Sequence, residues 1–295
     1  MMDRAAAAPA RTGQTFTILG AAGFVGRALA NRLRAEGHCV HPVTRGALPA
    51  LLATNRNAGH VIDCIGLTGD FRSRPYDTAE AHIAVTAQCL AALRCDSFLF
   101  VSSTRVYARA AATHEATPLP CDPTDPSDLY NLTKLTGEAL CLGDKRPTVR
   151  VVRLSNVYGP GMSNDTFLGQ VLREGTTTGA VAFHQAATSA KDYIGLNDVT
   201  RLLPAIACTA RLRLYNLAAG RNTSHGAIAA ALSASTGWRT SFAPDAPALH
   251  FPPIETTRLR AEFAPALSDL SADLATLAAA GQEVRCSPST RPAAA

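Results

Sequence analysis

Residues 15–26 read TFTILGAAGFVG. An apolar run rich in β-branched residues ends in glycines at positions 20, 23 and 26. A pattern with Val25, Leu29 and Leu33 at helical spacing follows, and Gly37 closes it. The expectation is a strand, a tight turn and a helix. In such a unit Gly20 permits the turn, Gly23 lets backbone approach a pyrophosphate, and Gly26 lets the helix pack on the sheet. The helix start offers unbonded N–H groups and a partial positive charge to phosphates. Three spaced glycines recur by chance; the strand–turn–helix setting makes them a dinucleotide-binding turn.

Outward from this unit the alternation continues. HCVHPVTR, HVIDCIGL, SFLFVSS, VRVVRLSNV and LRLYNLAAG read as strands. DTAEAHIAVTAQCLAALR, YNLTKLTGEALCL and the segment after KDYIGL read as helices. Strands alternating with helices predict an α/β fold, a Rossmann-type doubly wound parallel sheet, with a smaller C-terminal substrate-binding region. Residues 14–158 with 190–218 form the expected dinucleotide-binding domain, 159–189 with 219–281 the substrate-binding region, and 1–13 and 282–295 disordered tails. Only about fifteen residues separate Arg45 from His60. A helix, strand and helix do not fit there, so one sheet strand should be missing or reduced to a loop.

The 295 residues, 47% of them apolar, can build a sizeable core. No apolar run approaches the roughly 20 residues of a membrane helix. The start MMDRAAAAPARTG has no apolar signal region, and the eight cysteines lack any C-x2-C pair. Together these predict reduced thiols and a cytoplasmic location. His38, Cys39 and His41 lie on one strand with alternating directions, so no metal is expected there. The net charge of +5 comes from scattered arginines without a basic aromatic stripe. Nucleic acid is therefore not an expected partner, while an anionic cofactor or substrate suits the balance.

The second informative stretch runs from Ser102 to Asn156. It carries VSSTRVY, YNLTK and RLSNVYGPG in that order. Tyr130 and Lys134 are four residues apart and share a helix face. A free tyrosine, with its pKa of about 10, is a poor base at neutral pH. A nearby ammonium favours the phenolate, and Lys134 is placed to supply one. Ser103 ends the strand SFLFVSS, at the sheet's carboxyl edge, where open α/β folds place their chemistry. Ser102 and Thr104 could exchange roles with it. The expected chemistry is proton transfer at Tyr130 coupled to hydride movement on a nicotinamide. Where NAD-binding folds carry an acidic residue after the second strand, this chain has Thr44 and Arg45. That favours NADP over NAD.

Taken together, GAAGFVG, VSSTRVY, YNLTK, RLSNVYGPG, KDYIGLNDV and YNLAAG resemble the extended short-chain dehydrogenase/reductase family, in its NAD-dependent epimerase/dehydratase branch. The resemblance spans about Thr15 to Phe263. It implies Ser103, Tyr130 and Lys134 as the catalytic triad. The implied cofactor-binding set is Gly20, Ala22, Gly23, Phe24, Val25, Gly26, Arg45, Cys64, Ile65, Gly66, Val101, Tyr130, Lys134 and Val157, with Tyr158 also beside the nicotinamide. Ser103, Thr104, Asn156 and Lys191 are the implied substrate-binding residues, and a homodimer is the implied assembly.

The departures matter as much. Thr104 and Arg105 stand where dehydratases of the family resemble Thr-Asp-Glu, which argues against dehydration. Lys191 replaces a diphosphate-gripping arginine, and a further phosphate-binding arginine has no clear equivalent near Asp245. The strand end CIGLTG differs from the usual one. His82 replaces an asparagine and reads as a partly buried helix residue. The expectation is an NAD(P)-dependent epimerase or oxidoreductase of a nucleotide-activated sugar, with an NADPH-dependent ketoreductase of a sugar or other small carbonyl compound as the alternative. A non-catalytic NAD(P) sensor is the reading of another class.

Overall fold

In the computed structural model the described residues are 13–67 and 71–286. Of the tails expected at 1–13 and 282–295, residues 1–12 and 287–295 fall outside them, as do Thr68 and Gly69 of CIGLTG. Strand β1 (Thr15–Leu19) leads through the glycine turn into α1 (Phe24–Ala35) and β2 (Cys39–Val43). Between β2 and β3 (His60–Asp63) the chain forms only a short 3-10 turn at Arg45–Ala47 and the five-residue helix α2 (Leu48–Leu52). The strand expected to be missing there is absent among the described residues. The helical segment read as one piece is broken. It consists of α3 (Pro75–Ala79), a π-helical turn at Glu80–Ala84, and α4 (Val85–Ala92).

Then come β4 (Ser97–Ser103), α5 (Leu129–Gly143) and β5 (Val149–Leu154). The later elements are β6 (Asn156–Tyr158), α6 (Phe167–Thr178), β7 (Ala180–Phe183), β8 (Ala190–Gly195), α7 (Leu196–Thr209) and β9 (Leu214–Leu217). Last are β10 (Asn222–Ser224), α8 (His225–Thr236), β11 (Arg239–Phe242), α9 (Thr257–Phe263) and α10 (Leu270–Cys286). Helix α10 thus enters the range read as a C-terminal tail.

Six parallel strands form the main sheet in the order β2-β1-β3-β4-β5-β9. Side chains alternate across it. Leu99 and Val101 of β4 face a core made with Leu29 and Leu33 of α1 and Leu202, Leu203 and Ile206 of α7. Phe98 and Phe100 face the opposite core with Val85 and Cys89 of α4 and Cys141 of α5. Both faces of β4 are covered, which is why its segment is a nearly continuous apolar run. A separate core joins α6, α8 and α10 around Leu172, Leu232, Trp238 and Leu274. There Gly175 leaves room for the indole: a Cβ on it would lie 2.1 Å from Trp238.

Helix α5 buries Tyr130, Asn131, Thr133, Lys134, Gly137, Glu138 and Cys141. Those positions form one face at spacings of three and four. A Cβ at Gly137 would stand 2.5 Å from the Phe100 ring and 2.9 Å from the His82 carbonyl. The missing side chain lets α5 close onto both the sheet and the π turn, and so sets the depth at which Tyr130 and Lys134 sit.

Candidate active site

The glycine turn is built as its sequence demands. Gly20 has φ +72, in the left-handed region, and the Gly23 N–H donates to its carbonyl at 2.9 Å. A Cβ at Gly26 would stand 2.4 Å from the Gly20 oxygen, so α1 can start here only with glycine. Gly23 caps α1 without a side-chain hydrogen bond, and no acidic residue occupies the first turn. The N–H groups and the positive helix end are thus left for an anion, which fits a dinucleotide's pyrophosphate. Ala22 lies in the turn, and Phe24 and Val25 open the helix. Cys64 and Ile65 run directly beside Gly20, their backbone atoms about 3 Å from the place of its absent Cβ. Ala21 donates to the Val43 carbonyl at 3.2 Å, which brings the end of β2 alongside. Arg45 follows β2, exposed, its side chain without a hydrogen bond or ion pair among the described residues.

At the carboxyl end of β4, Ser103 caps a 3-10 turn, its Oγ accepting from the Arg105 N–H at 3.2 Å. Burial holds the Tyr130 phenol above the ordinary tyrosine range, while the neighbouring Ser103 side chain and then the Arg105 charge pull the other way. The Lys134 ammonium donates to the Val101 carbonyl at 2.9 Å and the Ile65 carbonyl at 3.5 Å. The long side chain thus runs from the shared helix face to the end of β4 and the loop after β3. Burial pulls its pKa down to about 8, chiefly against the charge of Asp63.

Gly66 stands exposed above this point, a Cβ there lying 3.5 Å from the ammonium and 3.4 Å from His82 Nε2. His82 is fully buried. Its ring meets the Tyr130 ring edge-on at 5.3 Å, its Nε2 accepts from the Leu67 N–H at 3.3 Å, and its Nδ1 pairs with the Thr133 hydroxyl at 2.9 Å. The sequence reading, a partly buried helix residue, missed these contacts.

The structure therefore brings Ser103, Tyr130, Lys134, Val101, Ile65 and Gly66 together, with the glycine turn alongside through Cys64. Val157 packs against the core beside β5. Lys191, half-buried on β8, lies with its ammonium 5.9 Å over the Phe167 ring. Burial and then the charge of Arg105 lower its pKa. Thr104 is buried. Asn156 is exposed on β6, its amide donating to the Asp192 carbonyl at 2.8 Å.

Sequence reasoning overlooked three further groups. Asp63 ends β3 fully buried, accepting from the Ile65 N–H at 3.0 Å and the Thr86 hydroxyl at 3.2 Å; burial raises its pKa to about 6. Phe71 packs 5.4 Å from the Tyr130 ring. Glu138, one turn beyond Lys134, accepts from Ser102 at 2.5 Å and pairs with Arg153 at 2.7 Å. Only Asp63 left a trace, as a carboxylate ending an apolar strand. The others meet through folding from distant stretches.

No group of three or more His, Cys, Asp or Glu side chains that could hold a metal ion occurs among the described residues, nor a helix long and apolar enough to cross a membrane.

Known proteins resemble this chain in sequence and fold. A stretch of 193 residues is 31% identical to a dTDP-4-dehydrorhamnose reductase of Mycolicibacterium smegmatis, covering 62% of this chain and 57% of that protein. The fold superposes on RMD of Pseudomonas aeruginosa, solved with NADPH, at a TM-score of 0.78 and 20% identity over 92% of this chain and 98% of that one. It also superposes on the UDP-glucuronic acid 4-epimerase of Bacillus cereus, solved with UDP-glucuronic acid and NAD, at 0.73 and 19% over 92% and 99%. The NAD-dependent NDP-hexosamine 5,6-dehydratase TunA matches at 0.77 and 19% over 91% and 97%. The model of the NAD dependent epimerase/dehydratase family matches residues 16–218, more than half of the chain, and the chain belongs to that family.

Proposed function

We propose that this chain transforms a nucleotide-activated sugar by hydride transfer, with Tyr130 as the general acid and base. The observation that carries the reading is the buried Tyr130 phenol with Ser103 beside it at the sheet's carboxyl end, near the loop that adjoins the glycine turn. A bound nicotinamide supplies the hydride donor or acceptor. Ser103 holds the substrate oxygen, and Tyr130 Oη takes or returns its proton. Lys134, anchored on Val101 and Ile65, supplies positive charge at the cofactor side and orders the loop there. Burial by Phe71 and His82 keeps water from the phenol.

Lys191 is the proposed partner of the substrate's phosphates, and Arg45 of a cofactor 2′-phosphate, which favours NADP. Epimerisation is the favoured reaction, in which Tyr130 takes a proton and returns it while the cofactor stays bound. Reduction is the second reading, favoured by the 31%-identical reductase. Thr104 and Arg105 offer no carboxylate for expelling water, so dehydration is not proposed. A homodimer through the exposed sides of α4 and α5 is part of this reading, as is a cytoplasmic location.

The test is mass spectrometry of the cofactor retained on purification, then assay of a panel of nucleotide sugars with and without added NAD(P)H. Turnover without added cofactor is the expected result, and stoichiometric NADPH consumption would select reduction. Tyr130→Phe should abolish turnover and leave cofactor binding nearly intact. Full turnover by that variant would overturn the assignment.

A further inference from the structure

Two guanidinium groups meet beside the catalytic phenol, with no carboxylate paired to either among the described residues. Arg105 donates to the Ser127 carbonyl at 3.2 Å, and Arg72 to the Ser127 hydroxyl at 3.0 Å. Both lie on the Phe71 ring, at 5.4 Å and 4.5 Å, and Phe71 in turn packs on Tyr130. Neither arginine makes an ion pair among the described residues. Asp125 and Asp128, whose charges reach Arg105, are both held by Arg109. The Arg105 Nε is buried without a hydrogen-bond partner.

Two like charges held together, one of them half-buried, with an orphaned donor, cost folding free energy. Groups of this kind cluster at ligand sites. Burial and then the Arg72 charge lower the Arg105 pKa, against the smaller opposing pull of Tyr130, Asp128 and Asp125. Arg105 follows Ser103 by two positions, so an anion it grips lies close to the reacting carbon. A planar guanidinium with a free Nε suits a carboxylate's two oxygens.

We propose that Arg105, with Arg72 behind it, binds a carboxylate on the sugar next to the carbon that exchanges hydride, so that the preferred substrate is a nucleotide-activated uronic acid. This rests on the nucleotide-sugar reading above. A sugar acid of this kind is the product of oxidising a primary alcohol, so an oxidation at the sugar's terminal carbon must precede this step.

The experiment is calorimetric titration of the cofactor-loaded enzyme with UDP-glucose against UDP-glucuronic acid, and with the same pair on dTDP. It is repeated with Arg105→Gln and Arg105→Lys, with thermal melts to verify folding. The wild type should bind the acid about ten- to a hundredfold more tightly than its neutral partner. Arg105→Gln should erase that preference and leave the neutral sugar's affinity within about twofold, and Arg105→Lys should keep part of it. Equal wild-type affinities for acid and neutral sugar would sink the inference while leaving the nucleotide-sugar reading intact. Equal weakening of both ligands in Arg105→Gln would reassign the arginine to the diphosphate and overturn it as well. If no sugar nucleotide binds, the underlying reading fails and takes this one with it.

Discussion

His82 Nδ1 lies 2.9 Å from the hydroxyl of Thr133, the residue that precedes Lys134. The bonds around that contact fix the proton positions. The Leu67 N–H can only donate, so Nε2 accepts and Nδ1 carries the hydrogen. Thr133 Oγ then accepts from Nδ1 and gives its own proton to the Tyr130 carbonyl at 3.0 Å. One neutral imidazole therefore ties the loop after β3 to the catalytic helix. Burial first, then the Lys134 charge, pull its pKa down to about 2, so it stays neutral through the working range. A glutamine amide reaches where Nε2 sits, and an asparagine amide where Nδ1 sits. His82→Asn should keep the helix contact and weaken cofactor binding, whereas His82→Gln should keep cofactor affinity and lower kcat. Each loss should be about tenfold, as expected for one buried hydrogen bond. Titration of NADH and NADPH fluorescence beside steady-state rates checks this; parallel losses in both variants would refute the division of labour.

Lys134 should respond to pH in two opposite ways. Its folded pKa, about 8, lies below the ordinary 10.5 because burial disfavours the ammonium. Between those values the unfolded chain binds more protons than the folded one, so this group makes the protein more stable as pH rises from about 8 toward 10.5. Over the same rise the site loses its positive charge. Cofactor affinity should therefore fall above pH about 8 while the melting temperature of the cofactor-free protein drifts upward from this residue's contribution. Lys134→Arg, always charged, should flatten the binding profile. A cofactor Kd that is constant to pH 9.5 in the unaltered protein would contradict the assignment.

Glu138 and Arg153 should be worth far more than a surface pair. Their side chains are only 4% and 5% exposed, and Arg153 bonds both carboxylate oxygens, with Nη2 at 2.7 Å. The Ser102 hydroxyl completes the carboxylate's shell, and Tyr107 takes a further Arg153 proton at 2.7 Å. Removing one partner leaves a buried, unpaired charge, at a cost of about 3–5 kcal/mol. Arg153→Met should lose that much in urea unfolding, and the double variant with Glu138→Leu should recover a large part of it. A single substitution costing under about 1 kcal/mol would show that the pair is not buried in solution.

The parts of this protein that were legible in its residues are those written in local periodicity. The glycine turn could be read because Gly20, Gly23 and Gly26 each answer a local steric demand, and the sheet because both of its faces are apolar. Tyr130 and Lys134 were found from spacing alone. Spacing fixes which helix face a residue shares, however, and not where a long side chain ends. For that reason the spacing put Lys134 on the face of Tyr130 but did not foretell its bonds to the Val101 and Ile65 carbonyls. The π turn at Glu80–Ala84 left no mark in composition, because it is set by what meets it, including Gly137 and the Thr133–His82 bond. Glu138 with Arg153, and Phe71 with Arg105, are pairs between distant stretches that no window of sequence contains.

Arg45 offers the sharpest test of cofactor choice. It is exposed, free of ion pairs among the described residues, and starts the turn after β2, which a hydrogen bond from Ala21 holds against the glycine turn. A 2′-phosphate there would meet a guanidinium, whereas the bare 2′-hydroxyl of NADH would find no carboxylate to accept its proton. Solvent screens an exposed pair, so the contribution should be modest. Arg45→Ala should weaken NADPH about three- to tenfold and leave NADH unchanged. Thr44→Glu should reverse the preference, by repelling the phosphate and giving the hydroxyl an acceptor. Dissociation constants of both nucleotides by fluorescence, at two salt concentrations, decide the matter: equal affinities in the unaltered protein, with no change in either variant, would remove Arg45 from the site.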